Sequence, residues 1–281
     1  MADLTEVWRR GGGPPEEASA SSGATKQEPA GSEGRPVAVV TGASRGIGAA
    51  VAVALAGSGY DLVIGYATRR GEASDVAVRC SLLGADVVAV GGDMSDPNTV
   101  VRLFGALDTE FGRLQLLVNN AGILPPPSRV GEFTEHRVQQ TFAINALAPL
   151  LCAREAVRRM STERNGTGGV IVNVSSPSAV RGASGERVDY AMSKAALDAL
   201  TIGLAGEAAA GGVRVVGVRP GLIDTEMNNS SQYPDRLKRL MSTVPLGRAG
   251  TAEEVAEAIR WLASDAASYV TGVVLDVSGG R

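Results

Sequence analysis

Tyr190 and Lys194 stand four residues apart at the start of a stretch, Ala191–Ala210, with helical period. One face of that helix must therefore carry both side chains. An unperturbed phenol has a pKa of about 10, too high for efficient proton exchange near neutrality, and an ammonium beside it favours the phenolate and lowers that value. A pair of this kind can give a proton to a substrate oxygen or take one from it. Ser176 ends an apolar run fourteen residues before Tyr190. Its hydroxyl could bind the same oxygen and stabilise charge as it develops.

A second constellation could hold phosphates. Thr41-Gly42-Ala43-Ser44-Arg45-Gly46-Ile47-Gly48 follows the β-branched run Val37–Val40 and leads into a helix. Gly42 permits a tight strand-to-helix turn. Gly46 and Gly48 let backbone approach a pyrophosphate, and the helix N-terminus supplies N–H donors and a positive dipole. The spacing is GxxxGxG with no following Lys-Ser/Thr, which excludes the nucleoside-triphosphate P-loop. Folds that prefer NAD place a carboxylate at the end of the second strand to hold the adenosine ribose. Here that strand ends Ile64-Gly65-Tyr66-Ala67-Thr68-Arg69-Arg70, and Asp61 comes too early. Arg45, Thr68 and Arg69 or Arg70 would instead meet a 2′-phosphate, for which a planar guanidinium is well shaped. NADP(H) is the expected cofactor.

Both constellations need a scaffold. Short β-branched runs (Val37–Val40, Leu62–Ile64, Val87–Val90, Leu116–Val118, Val170–Val174, Val213–Val218, Val273–Val277) alternate with helical-period stretches (Ile47–Ala56, Thr99–Phe111, Val138–Met160, Ala191–Ala210, Ala252–Leu262). Regular alternation implies parallel strands joined by crossover helices. The expectation is α/β: one doubly wound Rossmann-type domain over 36–281, its seven-stranded, mostly parallel sheet flanked by helices on both faces. In such sheets the ligand crevice lies at the carboxyl ends of the strands, where the residues above fall.

The 281 residues are 44% hydrophobic and 20% charged, enough for a core that stands without disulfides. Cys80 and Cys152 lie far apart in no metal-ligand spacing, so no metal site and two reduced thiols in a cytoplasmic protein are expected. The net charge of −3 gives no field for nucleic acid or anionic membrane. No apolar run reaches the roughly twenty residues of a membrane span. Arg9-Arg10 precede Gly11-Gly12-Gly13-Pro14-Pro15 rather than an apolar export signal. Residues 1–35, rich in Gly, Pro, Glu and Ser, read as a disordered extension in which Leu4, Val7 and Trp8 either dock on the fold or, as the preferred reading, fray.

From Val37 to Arg281 the chain resembles the short-chain dehydrogenase/reductase family. Besides the glycine motif, Asn119-Asn120-Ala121-Gly122 matches its NNAG motif, and Tyr190-Ala191-Met192-Ser193-Lys194 matches its YxxxK motif. Asn145, Ser175-Ser176 and Pro220-Gly221 fall in the corresponding order. The resemblance implies catalysis by Asn145, Ser176, Tyr190 and Lys194. It also implies that Lys194 holds the nicotinamide ribose and that Asn145 anchors a proton-relaying water. Cofactor contacts would come from Gly42 to Gly48 (Ser44 and Ile47 included), then Asp93 and Met94, then Asn120, Ala121 and Gly122. Pro220, Gly221, Ile223 and Thr225 would complete them. The interval from Ser176 to Tyr190 is one residue longer than in many members. Either the loop Arg181–Glu186 carries the extra residue, or Ser175 is the partner.

Asp93 fits two readings, an adenine contact and an acidic turn residue before Ser95-Asp96-Pro97. His136, between Glu135 and Arg137, reads as a solvated surface residue. The stretch from Thr225 to Val244 should cover the crevice as a lid, with Met227, Tyr233, Leu237, Leu240 and Met241 as an apolar wall. Small residues after Tyr190 (Ala191, Ala195, Ala196, Ala199) allow close helix pairing, and related enzymes form homotetramers or homodimers. The expected function is an NADP(H)-dependent oxidoreductase interconverting a carbonyl and an alcohol on a small molecule. The alternative is a non-enzymatic NADP-binding regulator on the same scaffold. Fragments resemble 3-oxoacyl-carrier-protein reductases, uncharacterised bacterial oxidoreductases and glucose-dehydrogenase-like relatives alike, which leaves the substrate open.

Overall fold

The structure, a computed structural model, describes residues 5–11, 16–17, 34–229 and 235–281. Its strands are β1 (Thr5–Trp8), β2 (Glu16–Glu17), β3 (Val37–Val40), β4 (Asp61–Tyr66), β5 (Val87–Gly91), β6 (Leu116–Asn119), β7 (Gly169–Val174), β8 (Val213–Pro220) and β9 (Val274–Val277). They form one sheet in the order β2-β1-β5-β4-β3-β6-β7-β8-β9. All pairings from β5 through β9 are parallel. Strands β3 to β6 are buried along their length. That burial suits their unbroken Val/Ile/Leu runs, because a parallel sheet is covered on both faces.

The helices are α1 (Gly46–Gly57), α2 (Arg70–Leu82), α3 (Pro97–Glu110), α4 (Glu135–Phe142), α5 (Ala148–Met160), α6 (Ser178–Arg181), α7 (Val188–Ala208), α8 (Glu226–Asn229), α9 (Arg236–Met241) and α10 (Ala252–Ala263). Two apolar layers result. One packs α1, α2 and α10 against the sheet, the other α3, α5 and α7. The strand order reverses between the parallel neighbours β3 and β6, and such a switch point places the ligand crevice at their carboxyl ends. No helix among the described residues is long and apolar enough to cross a membrane.

Two expectations need correction. The extension is not wholly unstructured: β1 pairs antiparallel with β5, and Val7 and Trp8 are 2% and 1% exposed. Without β1, strand β5 would be a sheet edge with unpaired backbone groups and open apolar faces. Arg9 and Arg10 then reach Glu110 (3.0 Å) and Asp61 (3.1 Å). Leu4 lies outside the described residues. Among the described residues the sheet therefore has nine strands rather than seven.

Nor does a single helix fill 138–160. A π-helical turn, Ala143–Leu147, separates α4 from α5. Pro149 has no N–H to offer the carbonyl four residues back, that of Asn145. The wider turn carries Asn145 into the interior, fully buried.

Candidate functional site

The glycine loop after β3 closes on the loop after β6. Gly42 and Gly46 take φ of +67° and +55°, which other residues reach only with strain. A Cβ on Gly48 would lie 2.3 Å from the carbonyl of Gly42, so this turn has no room for one. Thr41 Oγ1 accepts the N–H groups of Asn120 and Ala121, both at 3.0 Å. Asn120 Nδ2 donates to the carbonyls of Thr41 (2.9 Å) and Gly42 (3.0 Å). The Asn120 side chain thus braces the loop, while the backbone of 120–122 faces the crevice. Helix α1 opens with no side-chain cap and no acid in its first turn, which leaves its positive end available to an anion.

A pocket of about 280 Å³ lies against this loop. Ser44, Arg45 and Ile47 form one side, Thr68, Arg69, Asp93 and Met94 another, and Gly122 and Thr225 border it. Asp93 accepts the N–H of Ser95 at 2.9 Å, so it shapes its own turn and lines the pocket at once. Arg70 leaves the pocket to pair with Glu6 of β1 at 2.7 Å, and Arg69 is the guanidinium that remains. The sequence reading finds no carboxylate near these cations, but two meet them: Glu72 pairs with Arg69 at 2.5 Å from the first turn of α2, and the fold supplies a second. Glu226 of α8 pairs with Arg45 and lies 3.4 Å from Arg69. It stands over 150 residues from the glycine motif in sequence, and only the covering segment brings it back. A 2′-phosphate held by Arg45 and Arg69 would have to displace it.

Tyr190 and Lys194 lie one turn apart on α7, with the ammonium 6.0 Å from the phenol ring centre. Lys194 is 4% exposed and donates to the carbonyl of Val174 at 2.7 Å. Burial pulls its pKa down to about 8, and Asp198 opposes the shift. Tyr190 departs from expectation. Burial pushes its pKa above the ordinary value and outweighs the hydrogen bond from Ser176 and the charges of Arg236 and Arg187. In this low-dielectric setting loss of solvation dominates, so the phenol keeps its proton.

Ser176 lines the same pocket as Tyr190 and accepts the N–H of Ser178 at 3.2 Å. Ser175 points elsewhere and donates to the carbonyl of Lys194 at 3.2 Å. In the loop after α6, Gly182, Ala183 and Gly185 adopt positive φ. Asn145 accepts the N–H of Ile123 (2.9 Å) and donates to its carbonyl (3.0 Å) and to Ser193 Oγ (3.1 Å). Ser193 Oγ in turn donates to the Tyr190 carbonyl at 2.8 Å. Pro220, Gly221, Ile223 and Thr225 join Ser176, Tyr190 and Lys194 around a further pocket of about 120 Å³.

Met227 of α8 lines both pockets, as a covering segment should. Tyr233 lies outside the described residues. His136 is exposed. The sequence reading missed Glu226, Ser193 and Arg236, whose residue types carry no local motif. They become site residues only through α8, α7 and α9.

The donor set fits a dinucleotide with phosphates at one end and a hydroxyl-binding pair at the other. Gly42 and Gly48 have no room for a Cβ, the α1 terminus is uncapped, and a buried ammonium lies within the same crevice. Residues 42–281 match the family model described as enoyl-(acyl carrier protein) reductase. The uncharacterised oxidoreductase YgfF of Escherichia coli K12 is 47% identical over 87% of this chain and 99% of its own. The cis-4-hydroxycyclohexanecarboxylate dehydrogenase of Sinomonas cyclohexanicum is 40% identical over 87% and 95%. Among solved structures, a short-chain dehydrogenase of Burkholderia cenocepacia J2315 in complex with NADP superposes with a TM-score of 0.80. It is 31% identical and covers 88% of this chain and 97% of its own.

Proposed function

The chain belongs to the short-chain dehydrogenase/reductase family of oxidoreductases, which use a nicotinamide cofactor, and we propose that it is an NADP(H)-dependent carbonyl reductase/alcohol dehydrogenase with Tyr190 as acid/base. Ser176 and Tyr190 meeting the buried Lys194 around one pocket carry this reading. Backbone N–H groups of the glycine loop and the first turn of α1 would hold the pyrophosphate. Arg45, Thr68 and Arg69 would take the 2′-phosphate, and Asp93 and Met94 would border the adenine. Lys194 and Tyr190 would bind the nicotinamide ribose, with the backbone of Asn120–Gly122 and Pro220, Gly221, Ile223 and Thr225 completing the wall. When bound, the nicotinamide supplies or accepts the hydride.

The chain's own residues govern the proton. Burial keeps the Tyr190 hydroxyl protonated at neutral pH, so in reduction it donates that proton to the carbonyl oxygen, and in oxidation the phenolate takes it back. Ser176 binds the same oxygen and stabilises its developing charge. Lys194 steadies the phenolate that remains. Asn145, locked to Ile123 and Ser193, fixes the helix that carries Tyr190 and offers its amide to a proton-relaying water beside Lys194. A regulator that only binds NADP has no use for this proton-transfer set, which ranks that alternative second. The NADP complex of the Burkholderia relative supports the cofactor assignment.

We place the enzyme in the cytoplasm as a homotetramer or homodimer. Free, buried Cys80 and Cys152 suit a reducing compartment, and Leu147 of the π-helical turn, Leu150 of α5, and Met192 and Ile202 of α7 are exposed apolar side chains. The functional test is NADPH oxidation with β-ketoacyl thioesters, quinones, diketones, aldehydes and sugars. Cofactor-dependent turnover of at least one class supports the proposal, and NADPH binding without turnover of any carbonyl contradicts it.

A further inference from the structure

Building on the carbonyl-reductase reading, we propose that the substrate carries an anionic group, a carboxylate or a phosphate monoester, held by an arginine cluster beside Tyr190. The cluster lines a pocket of about 260 Å³ that opens onto Ser176 and Tyr190. Arg181 ends α6, Arg187 directly precedes α7, Arg236 opens α9 and Arg281 follows β9. Four separate segments thus direct guanidinium groups to one cavity, which is no by-product of one helix's solvated face. Against them stands one acidic side chain of the lining, Glu186, so the side chains that line the pocket carry a net charge of +3. The chain as a whole carries −3, so this local excess runs against the global balance.

The internal partners are too few to neutralise the cluster. Glu186 pairs with Arg187 at 2.6 Å, and Arg187 also donates to the carbonyl of Pro125 at 2.8 Å. Arg187 is 3% exposed, so this charge is fixed in place. Arg236 donates to Asn228. Among the described residues, neither Arg181, Arg236 nor Arg281 forms an ion pair. Burial, then the neighbouring cation, pulls down the pKa of both Arg236 (by Arg187) and Arg281 (by Arg181). Guanidinium stays charged even so. Arg187 is buried, Arg236 and Arg281 are half-buried and Arg181 is exposed; like charges held together in this way are relieved by an anion, and carboxylate or phosphate oxygens match the guanidinium fork.

Arg236 also lines the neighbouring pocket that holds Lys194 and the Ser176–Tyr190 pair. One compound can therefore place its carbonyl at Tyr190 and its anion at Arg236 and Arg281. The volume suits a small acid rather than a drug-sized ligand. No group is transferred at the cluster. It binds and orients, and the hydride and proton steps stay as above.

The test uses matched pairs: levulinate with methyl levulinate, acetoacetate with methyl acetoacetate, and dihydroxyacetone phosphate with dihydroxyacetone. With NADPH, the anionic member of at least one pair should show kcat/KM at least ~10-fold above its neutral partner, a difference that one well-formed charge contact supplies. A carboxylate pair or the phosphate pair responding alone identifies the source of the anion. Arg236→Met should shrink that ratio, and Arg281→Met, away from the covering segment, should do the same if the first variant folds poorly. Equal or better turnover of the neutral member in every pair overturns the inference while leaving the carbonyl-reductase reading standing. The same compounds are titrated calorimetrically into the NADP-loaded enzyme. Binding of an acid but not its neutral partner, weakened in either arginine variant, supports the inference even if no pair turns over, and that failure of turnover counts against the carbonyl-reductase reading alone. Absence of binding by every acid at millimolar concentration overturns it.

Discussion

Lys194 presents its ammonium 6.0 Å from the ring centre of Tyr190 and anchors it on the carbonyl of Val174. The helical spacing of the two residues requires a shared face, but the chemistry of that face depends on burial. Burial brings the lysine down to about 8 and holds the phenol above its ordinary pKa. At neutral pH the cofactor-free pair is therefore a protonated phenol beside an ammonium close to its titration point.

The pH dependence of cofactor affinity follows. A cofactor whose ribose oxygens accept from Lys194 favours the charged ammonium, so binding raises the lysine pKa above 8. Affinity is then fully present below pH 8 and lost as pH rises from there to the bound-state pKa, by up to ~10-fold per unit. Fluorescence titration of NADPH between neutral and alkaline pH should show this break, and Lys194→Met should flatten it. A wild-type profile with no fall above pH 8 contradicts the assignment.

The two serines should separate activity from stability. Ser176→Ala removes the hydroxyl that meets Tyr190 and should lower turnover by roughly 10²–10³. Ser175→Ala removes a hydrogen bond to the Lys194 carbonyl and should cost about 1 kcal/mol of stability with a smaller loss of rate. Chemical denaturation and steady-state kinetics on both variants check the split. The larger rate loss in Ser175→Ala would show that the loop is aligned wrongly.

Cofactor choice tests the cations around Glu226. NADPH should be preferred over NADH by at least ~10-fold in kcat/KM. The double variant Arg45→Ala, Arg69→Ala should erase most of that through weaker NADPH binding. Glu226→Gln should tighten NADPH binding and leave NADH nearly unchanged, since the carboxylate competes only with the 2′-phosphate. Equal or better efficiency with NADH in the wild type contradicts the assignment.

Trp8 decides the status of the N-terminal segment. With 1% of its surface exposed between β5 and the α2 side of the sheet, Trp8→Ala should cost about 3–5 kcal/mol. Removing residues 1–11 should lower the melting temperature likewise. An unchanged midpoint in both would show that β1 does not contribute to the fold.

The doubly wound architecture was legible because its signals are local: β-branched runs, helical period, and glycines at a strand-to-helix turn. Seven strands lie within two residues of the runs read from sequence. β1 was not, since Thr5–Trp8 is four residues amid Gly- and Pro-rich chain and gains stability only against the β5 edge. α2 has a polar sequence whose buried side is Ala73, Val76, Ala77 and Cys80, a weak apolar stripe. The π-turn at Asn145 depends on what Pro149 withholds. Glu226 and the four arginines illustrate the general limit. Charges distant in sequence meet through loops, and no spacing rule encodes that meeting.

The most direct test of the central claim is Tyr190→Phe, measured for NADPH-dependent carbonyl turnover and, in parallel, for NADPH binding. The ring and its packing survive this change, and only the hydroxyl that meets Ser176 is lost. Turnover should fall by at least ~10²-fold, the scale of a lost general acid, while the NADPH dissociation constant stays within a few-fold of wild type. Turnover at the wild-type rate in a variant that binds NADPH normally would contradict Tyr190 as the proton donor.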